Sequence, residues 1–408
     1  MDGRPTVPSV VSYPEDGGQP LVGVSAAARR ALEPGRTVFG AKRLIGRPFD
    51  HPDVAAEAAH LPYAVVRSTS GDDSVELELR GGTGADGALR PPLRLSPVAV
   101  SAAVLRRLKE AAEASRPLAF LLGARFRSAT ISVPVAFSTR QRQATLAAAK
   151  RAGFGLVRLI EEPVAAAVAY GLAASGERTV LVYDLGGGTL DCALLRLEAA
   201  TRTFLVLATS GDPRLGGEDF DRSLAEWATR EAGEKAARGG GGGVAAGGGG
   251  AQGDREISAA ERGGGDSGGD GDIATARLLS AVEDAKRRLG DSAAGVALTL
   301  PPPAASTSSS TSSSAPPPPR TTLLLTQSVV DTSCAHLLSR ALAPLADVLA
   351  SAGLSVADVD DVVLVGGGTR LEAVRRAVRG AMGGASRLHT ELDPDTAIAV
   401  GAARAYNC

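Results

Sequence analysis

Two short segments, VLVYDLGGGT (180–189) and VVLVGGGTR (362–370), each run an apolar strand directly into three glycines. No other feature restricts the fold as strongly. Four or five consecutive apolar residues without polar alternation fit a strand buried on both faces, and such strands belong to α/β sheets covered by helices. The glycines then let backbone N–H groups approach a phosphate with no Cβ in the way. Glycine makes up 50 of the 408 residues, so a single GGG run is weak evidence, better explained by an ordinary turn. Two copies in the same strand context, one flanked by acidic residues, favour phosphate loops. Neither is a Walker loop, because no GxxxxGKS or GxxxxGKT occurs, and neither has the Rossmann glycine spacing.

The rest of the chain alternates strands and helices, as that class requires. Strands are predicted over 129–137, 156–163, 178–198 (strand, glycine turn, strand), 204–210 and 361–370. Helices are predicted over 140–153, 164–172, 273–290, 331–354 and 371–382. Gly153 closes the first of these helices. Leu278, Leu279, Val282 and Leu289 mark the buried side of the third, and Pro344 predicts a kink or break in the fourth. Two low-complexity segments, 239–272 and 301–319, are too poor in apolar residues to offset chain entropy, and they read as disordered inserts within a domain.

Composition excludes several classes. The chain carries 44 basic and 45 acidic residues, which disfavours nucleic acid as a partner. Hydrophobic residues at 44% supply a core, but aromatics at 3% mean that it must be built from Ala, Val and Leu. Cys192, Cys334 and Cys408 show neither a disulfide framework nor zinc-ligand spacing. No apolar run approaches the length of a transmembrane helix, and MDGRPTVPSV does not read as a signal peptide.

Several residues carry candidate chemistry. Asp184 ends its strand and Asp191 follows the glycine turn, so two paired strands would bring both carboxylates to one mouth. Paired carboxylates beside a phosphate loop suit a hydrated Mg²⁺, which keeps most of its waters. Without that loop, a turn Asp and a strand-edge Asp explain them. Glu162 stands at a strand end before Pro163, where a carboxylate can orient an attacking water or can simply be solvated. Lys42, clustered with Arg43 and Arg47, reads on its own as a solvated helix face. Glu283, Lys286 and Arg287 share one helix face and read on their own as surface ion pairs. His51, His60, His336 and His389 show no triad or ligand pattern.

Taken in order, VFGAKRLIGRPF, ISVPVAFSTRQRQAT, LIEEPVAAAVAYGL, VYDLGGGTLD, LGGEDFD, EDAKRRL, DDVVLVGGGTR and LDPDTAIAVGAA resemble the nucleotide-binding domain of the 70-kDa heat-shock chaperones. These motifs cover most of the chain outside the two inserts. DLGGGTLD and the proline tract look most like the truncated branch of the family, a stress chaperone ATPase core without a peptide-binding domain. The resemblance implies an α/β, two-lobed, actin-like ATPase fold with ribonuclease H-like sheets. The first lobe would span 1–175 and the second 176–408, with the inserts inside the second. It also implies ATP or ADP with Mg²⁺ in the cleft, ATP hydrolysis coupled to protein folding, and J-domain or nucleotide-exchange co-chaperones as partners.

The same resemblance assigns roles by position. Lys42 matches the lysine near the γ-phosphate and Glu162 the carboxylate that orients water. Asp184 and Asp191 match carboxylates that hold Mg²⁺ through water, and Gly186, Gly187, Gly188 and Thr189 match a phosphate loop. Gly217, Glu283, Lys286, Arg287, Gly366, Gly367, Arg370 and Asp395 match the clamp on nucleoside and phosphate. Pro134 and Arg142 match positions that couple nucleotide state to the rest of a chaperone.

Three departures qualify these expectations. The chain starts after the family's opening strands and first phosphate loop, so an N-terminally incomplete first lobe and impaired ATP turnover are expected. Gly368 and Gly290 stand where the family has serines. The chain stops at GAARAYNC, before any peptide-binding domain. A non-catalytic scaffold that docks a co-chaperone, or an incomplete gene model, is the alternative. A sugar or acetate kinase of the same fold is disfavoured because such enzymes lack GAKRLIG and LGGEDFD. A cytoplasmic location is the default, and an endoplasmic reticulum lumen is the alternative should a signal lie upstream.

Overall fold

In the computed structural model the described residues are 5–30, 32–82, 89–116, 123, 125–172, 176–198, 200–201, 203–239, 269–290, 292, 294–300, 321–384 and 386–405. Elements are numbered in chain order. The N-terminal part opens with an antiparallel sheet of β1 (Val11–Ser12), β2 (Leu21–Val22) and β3 (Thr37–Val38), ordered β2-β1-β3, with α1 (Val24–Arg29) beside it. Two short helices follow, α2 (Ala41–Leu44) and α3 (Pro52–Ala58). A second antiparallel sheet, ordered β4-β5-β6, comprises β4 (Ala64–Arg67), β5 (Val75–Leu79) and β6 (Leu93–Leu95). Along β5, Val75, Leu77 and Leu79 are buried and alternate with Glu76 and Glu78, the period of a strand with one face on a core. Those three residues close over Val11, Val38, Leu44 and Val54.

Helices α4 (Pro97–Ala114) and α5 (Thr139–Arg151) pack on each other. Ser138 and Gln141 form a capping box at the start of α5, which satisfies two amide donors that the helix leaves free. Around them lie β7 (Ser128–Val133) and β8 (Leu156–Glu161), a parallel pair that no third strand joins among the described residues. Both strands are shorter than their apolar runs. Pro134 has no N–H to continue β7. Beyond β8, Glu162 is already the first residue of α6 (Glu162–Ala169), with Pro163 in its first turn. Glu162 therefore sits on a helix start rather than at the strand end.

The C-terminal part is organised by one mixed sheet, ordered β11-β10-β9-β14-β15. It contains β9 (Arg178–Leu185), β10 (Leu190–Glu198), β11 (Thr203–Asp212), β14 (Asp361–Val365) and β15 (Arg387–His389). Strands β9, β10 and β11 are antiparallel neighbours, whereas β14 runs parallel to both β9 and β15. Leu181, Tyr183, Cys192, Leu194, Val362 and Leu364 point to one core. Their neighbours Val180, Val182, Ala193, Leu195, Val363 and Val365 point to the other. This alternation between two buried faces is why both strands read as unbroken apolar runs.

On the first face lie α7 (Gly217–Gly239), α8 (Gly269–Leu289), the hairpin of β12 (Val296–Thr299) and β13 (Thr322–Leu325), α9 (Gln327–Ser333), α10 (Ala335–Ala352) and α11 (Glu372–Ala381). The buried side expected for α8 is observed: Val282 and Leu289 are fully buried, with Leu278 and Leu279 packed against the same core. This helix begins four residues before the predicted one, within the segment read as an insert, while 240–268 and 301–319 lie outside the described residues. Pro344 does not break its helix. It lies buried inside α10, and the interruption falls at Cys334, whose φ of −109° and ψ of 14° separate α9 from α10. Burial of Leu337, Ala341, Leu345 and Val348 outweighs the one donor that the proline removes.

On the second face lie α6 and α12 (Ala397–Arg404), whose crossing joins the two parts of the molecule. Small residues make the crossing close. Ala166, Ala167, Ala169 and Ala397 are buried there, and the Gly401 backbone lies directly on the Ala165 carbonyl. Arg404 donates to the carbonyl of Ala169.

Candidate functional site

The β9–β10 turn sets the first half of the site. The Gly186 amide donates to the Thr189 carbonyl at 2.9 Å, closing a tight reversal. In the resulting register Asp184 and Asp191 are direct cross-strand partners, so both carboxylates stand at one mouth, as the sequence predicts. Side chains alternate along a strand, so Asp184 shares the face of Val182, and Asp191 that of Ala193. That face looks toward α6 and Glu162.

Tertiary structure adds the second half. Strand β14 runs parallel beside β9 with Val365 opposite Asp184, so both glycine runs leave the same carboxyl end of the sheet. Gly366 has φ of +81°, and a Cβ there would collide with the Asp184 carboxylate and the Leu185 backbone. A Cβ on Gly368 would lie 2.6 Å from Leu185 Cγ, so glycine rather than serine fits this packing. At Gly290, the other position where a serine was expected, a Cβ would lie 3.1 Å from the Arg370 carbonyl. The end of α8 and the second glycine loop are therefore neighbours.

Lys42, on α2, reaches across the cleft and donates from Nζ to Glu162 Oε1 at 2.6 Å. The two residues are 120 positions apart in the chain. Glu162 is 13% exposed and Lys42 61% exposed, so the pair opens onto the cleft from a buried base. Glu162, Asp184, Thr189 and Asp191 line a cavity of about 310 Å³, with Pro134 and Val365 among its apolar walls. Burial, Glu162 and Asp191 push the Asp184 carboxyl up to about 7, against the pull of Lys42. Burial and Glu162 raise Asp191 as well, while Lys42 and a hydrogen bond from Thr189 oppose the rise. The crowded walls of the cleft lower Lys42, but the charge and hydrogen bond of Glu162, helped by both aspartates, outweigh them and hold it above its ordinary value. Lys42 is thus a fixed cation, and three carboxylates face it.

The remaining predicted residues fall into two groups. On one side, Lys286 Nζ donates to the Gly217 carbonyl at 2.7 Å and to Asp221 Oδ2 at 2.8 Å. Arg287 pairs with Glu283 at 2.7 Å on the exposed surface of α8, as expected from their spacing. Arg370 pairs with Asp393, and with Asp395 at 3.1 Å, and a Cβ on Gly367 would lie 2.7 Å from Asp395 Oδ1. On the other side, Arg142 donates to the carbonyls of Val135 and Phe137 and to Glu161 Oε1. It ties the loop after Pro134 to the residue preceding Glu162.

Sequence patterns do not single out two neighbours of the site. Arg43 donates to the Gly188 carbonyl at 3.1 Å while held by Glu57, so it closes over the first glycine loop. Asp221 lies within the LGGEDFD motif, but only the folded chain shows that it is the buried partner of Lys286.

The Hsp70 protein family model matches residues 1–238 and 266–406. The chain belongs to the Hsp70 family. It is 35% identical over 405 residues to a chaperone protein DnaK of Buchnera aphidicola subsp. Schizaphis graminum, covering 98% of this chain and 54% of that relative. It is 34% identical over 406 residues to a chaperone protein DnaK of Psychrobacter cryohalolentis, covering 98% of this chain and 53% of the relative. The chain therefore spans about half the length of these curated relatives. Its fold is the two-lobed, actin-like ATPase architecture of the Hsp70 family. Among the described residues, no helix is long and apolar enough to cross a membrane.

Proposed function

We propose that the chain binds ATP and ADP with Mg²⁺ in this cleft and hydrolyses ATP to ADP, as the nucleotide-driven part of a chaperone. The observation that carries the reading is the Lys42–Glu162 pair facing Asp184 and Asp191 where both glycine loops open. The residues fit a hydrated cation. Among the described residues no group of three acidic, His or Cys side chains converges as direct metal ligands. The cross-strand aspartates instead form a close carboxyl pair that burial and the neighbouring Glu162 hold above the ordinary carboxylate range, against the pull of Lys42. Such a pair suits Mg²⁺, which sheds its waters reluctantly. When bound, that ion would offset charge on the phosphates.

In this reading the chain's own groups act by position and charge. Glu162 accepts a hydrogen bond from the attacking water and aims it at the γ-phosphorus. Lys42 stays protonated and offsets charge as the bond to the leaving ADP breaks. The amides of Gly187, Gly188 and Gly367 face the phosphates, while Gly186 and Gly366, whose amides close their loops on the Thr189 and Pro394 carbonyls, leave the approach free of a Cβ, with Thr189 and Gly217 beside them. Glu283, Lys286, Arg287, Arg370 and Asp395 border the nucleoside. Pro134 and Arg142, joined to Glu161, carry the nucleotide state outward. J-domain and nucleotide-exchange co-chaperones are the partners that would use it.

The test is Glu162→Gln in single-turnover hydrolysis. Losing the carboxylate that aims water is expected to slow turnover by about a hundredfold, with ADP affinity changed less than about threefold. Unchanged turnover would remove Glu162 from the mechanism and this reading with it.

A further inference from the structure

Charge is spread unevenly along this chain. Residues 106–158 hold 11 basic and 2 acidic side chains, in a chain whose totals are 44 and 45. Part of that excess gathers where three elements meet. Arg106 of α4 donates to the carbonyl of Arg151, the last residue of α5, at 3.1 Å. The Arg127 carbonyl, just before β7, accepts from the amides of Gly155 and Leu156 at 2.8 and 3.1 Å. Near the end of α4, Glu113 accepts from the Phe126 amide at 2.9 Å and pairs with Lys109 at 3.0 Å. The Arg116 guanidinium stands over the Phe126 ring, 5.8 Å from its centroid. These contacts gather Arg106, Arg116, Arg127 and Arg151 around Phe126 and Leu156, which are 37% and 58% exposed.

All four arginines are exposed, and none forms an ion pair among the described residues. Glu113 is committed to Lys109 and the Phe126 amide, and Glu110 is the other acid within 106–158. The helix ends explain part of the arrangement, because the C-termini of α4 and α5 each carry about half an elementary negative charge. Four cations exceed that charge. An exposed apolar residue standing alone needs no account. Two of them ringed by unpaired guanidinium groups form an apolar centre with a charged rim, which is the anatomy of an interface.

We infer that this surface docks an acidic protein segment, with its apolar side chains on Phe126 and Leu156 and its carboxylates on Arg106, Arg116, Arg127 and Arg151. Guanidinium groups grip carboxylates with two parallel hydrogen bonds. The centre suits a peptide better than a nucleic acid. Leu156 offers no ring for a base to stack on, and Arg116 already covers Phe126. The surface is also separate from the cleft. Strand β8 starts in it with Leu156 and ends beside Glu162, so the two lie at opposite ends of the β7–β8 pair.

The probe is a fluorescein-labelled peptide of about 12 residues that alternates Glu-Glu with Leu, read by anisotropy at low salt, where charge pairing is least screened. The parent chain should bind it. Arg116→Glu/Arg127→Glu should weaken binding at least about tenfold, and Arg238→Glu, on the exposed surface of α7, should leave it unchanged. The side chains of Arg116 and Arg127 hold no backbone group, so this double variant keeps the fold even if a change at Arg106 loosens the end of α5. Leu156→Ser should weaken the Leu-bearing peptide at least about threefold and leave polyglutamate of the same length unaffected. Parent-like binding by the double reversal would overturn the proposal. So would equal affinity for both peptides with no response to Leu156→Ser, because the surface would then be a bare positive field. Tighter binding of poly(U) or of phosphatidylserine vesicles than of the peptide would overturn it as well, and would assign the surface to nucleic acid or to membrane.

Discussion

Asp184→Asn should stabilise the nucleotide-free protein and cripple its response to Mg²⁺, and the size of the first effect follows from the site. Burial and two neighbouring carboxylates push Asp184 up to about 7 from an ordinary 3.8, with only Lys42 opposing. Each pKa unit corresponds to about 1.4 kcal/mol, so the full shift is on the order of 4 kcal/mol. The side chain is half-buried rather than sealed, and solvent screening reduces this to about 2 kcal/mol. The sign follows from proton linkage. Below pH 4 Asp184 is protonated in both states. As pH rises, the unfolded chain loses the proton first, and the folded chain keeps it until about pH 7. The stability that this proton supplies is lost between those values. Asparagine does not titrate. The variant should therefore gain on the parent by about 2 kcal/mol between pH 4 and pH 8, roughly 4–8 °C for a unit the size of the second lobe. Thermal denaturation across that range in EDTA checks this. Adding Mg²⁺–ADP should reverse the order, because only the parent keeps its full ligand stabilisation. Parallel pH–stability curves for the two proteins would show that Asp184 is not strained by its neighbours, and the electrostatic account of the cleft would fall.

Two glycine substitutions test the close approaches. Gly401→Ala places a methyl group on the Ala165 carbonyl and must force α6 and α12 apart, so a loss of about 1–3 kcal/mol is expected; a thermal midpoint within about 1 °C of the parent would contradict the packing. Gly366→Ala puts a side chain at φ +81° against the Asp184 carboxylate. Backbone strain of about 1–3 kcal/mol and a displaced Asp184 should weaken Mg²⁺–ADP binding at least about tenfold, read by calorimetry.

Where a feature depends on a few neighbouring residues, it can be read from the chain directly. The β9–β10 hairpin is the clearest case. Its turn is closed within Gly186–Thr189, and alternation along the strands then dictates that Asp184 and Asp191 face each other. The helical face of Val282 and Leu289 and the pairing of Glu283 with Arg287 are local in the same way. Other parts of the site exist only because the chain folds back on itself. Lys42 meets Glu162 across 120 positions, and Asp221 meets Lys286 across 65. In both, the residue types fit a solvated surface equally well until the fold brings the partners together. The second glycine loop becomes part of the site because β14 inserts beside β9, a parallel pairing that no turn specifies. At Pro344 a local rule is overridden outright, since the buried face of α10 stabilises the helix by more than one missing hydrogen bond costs, and the chain breaks at Cys334 instead.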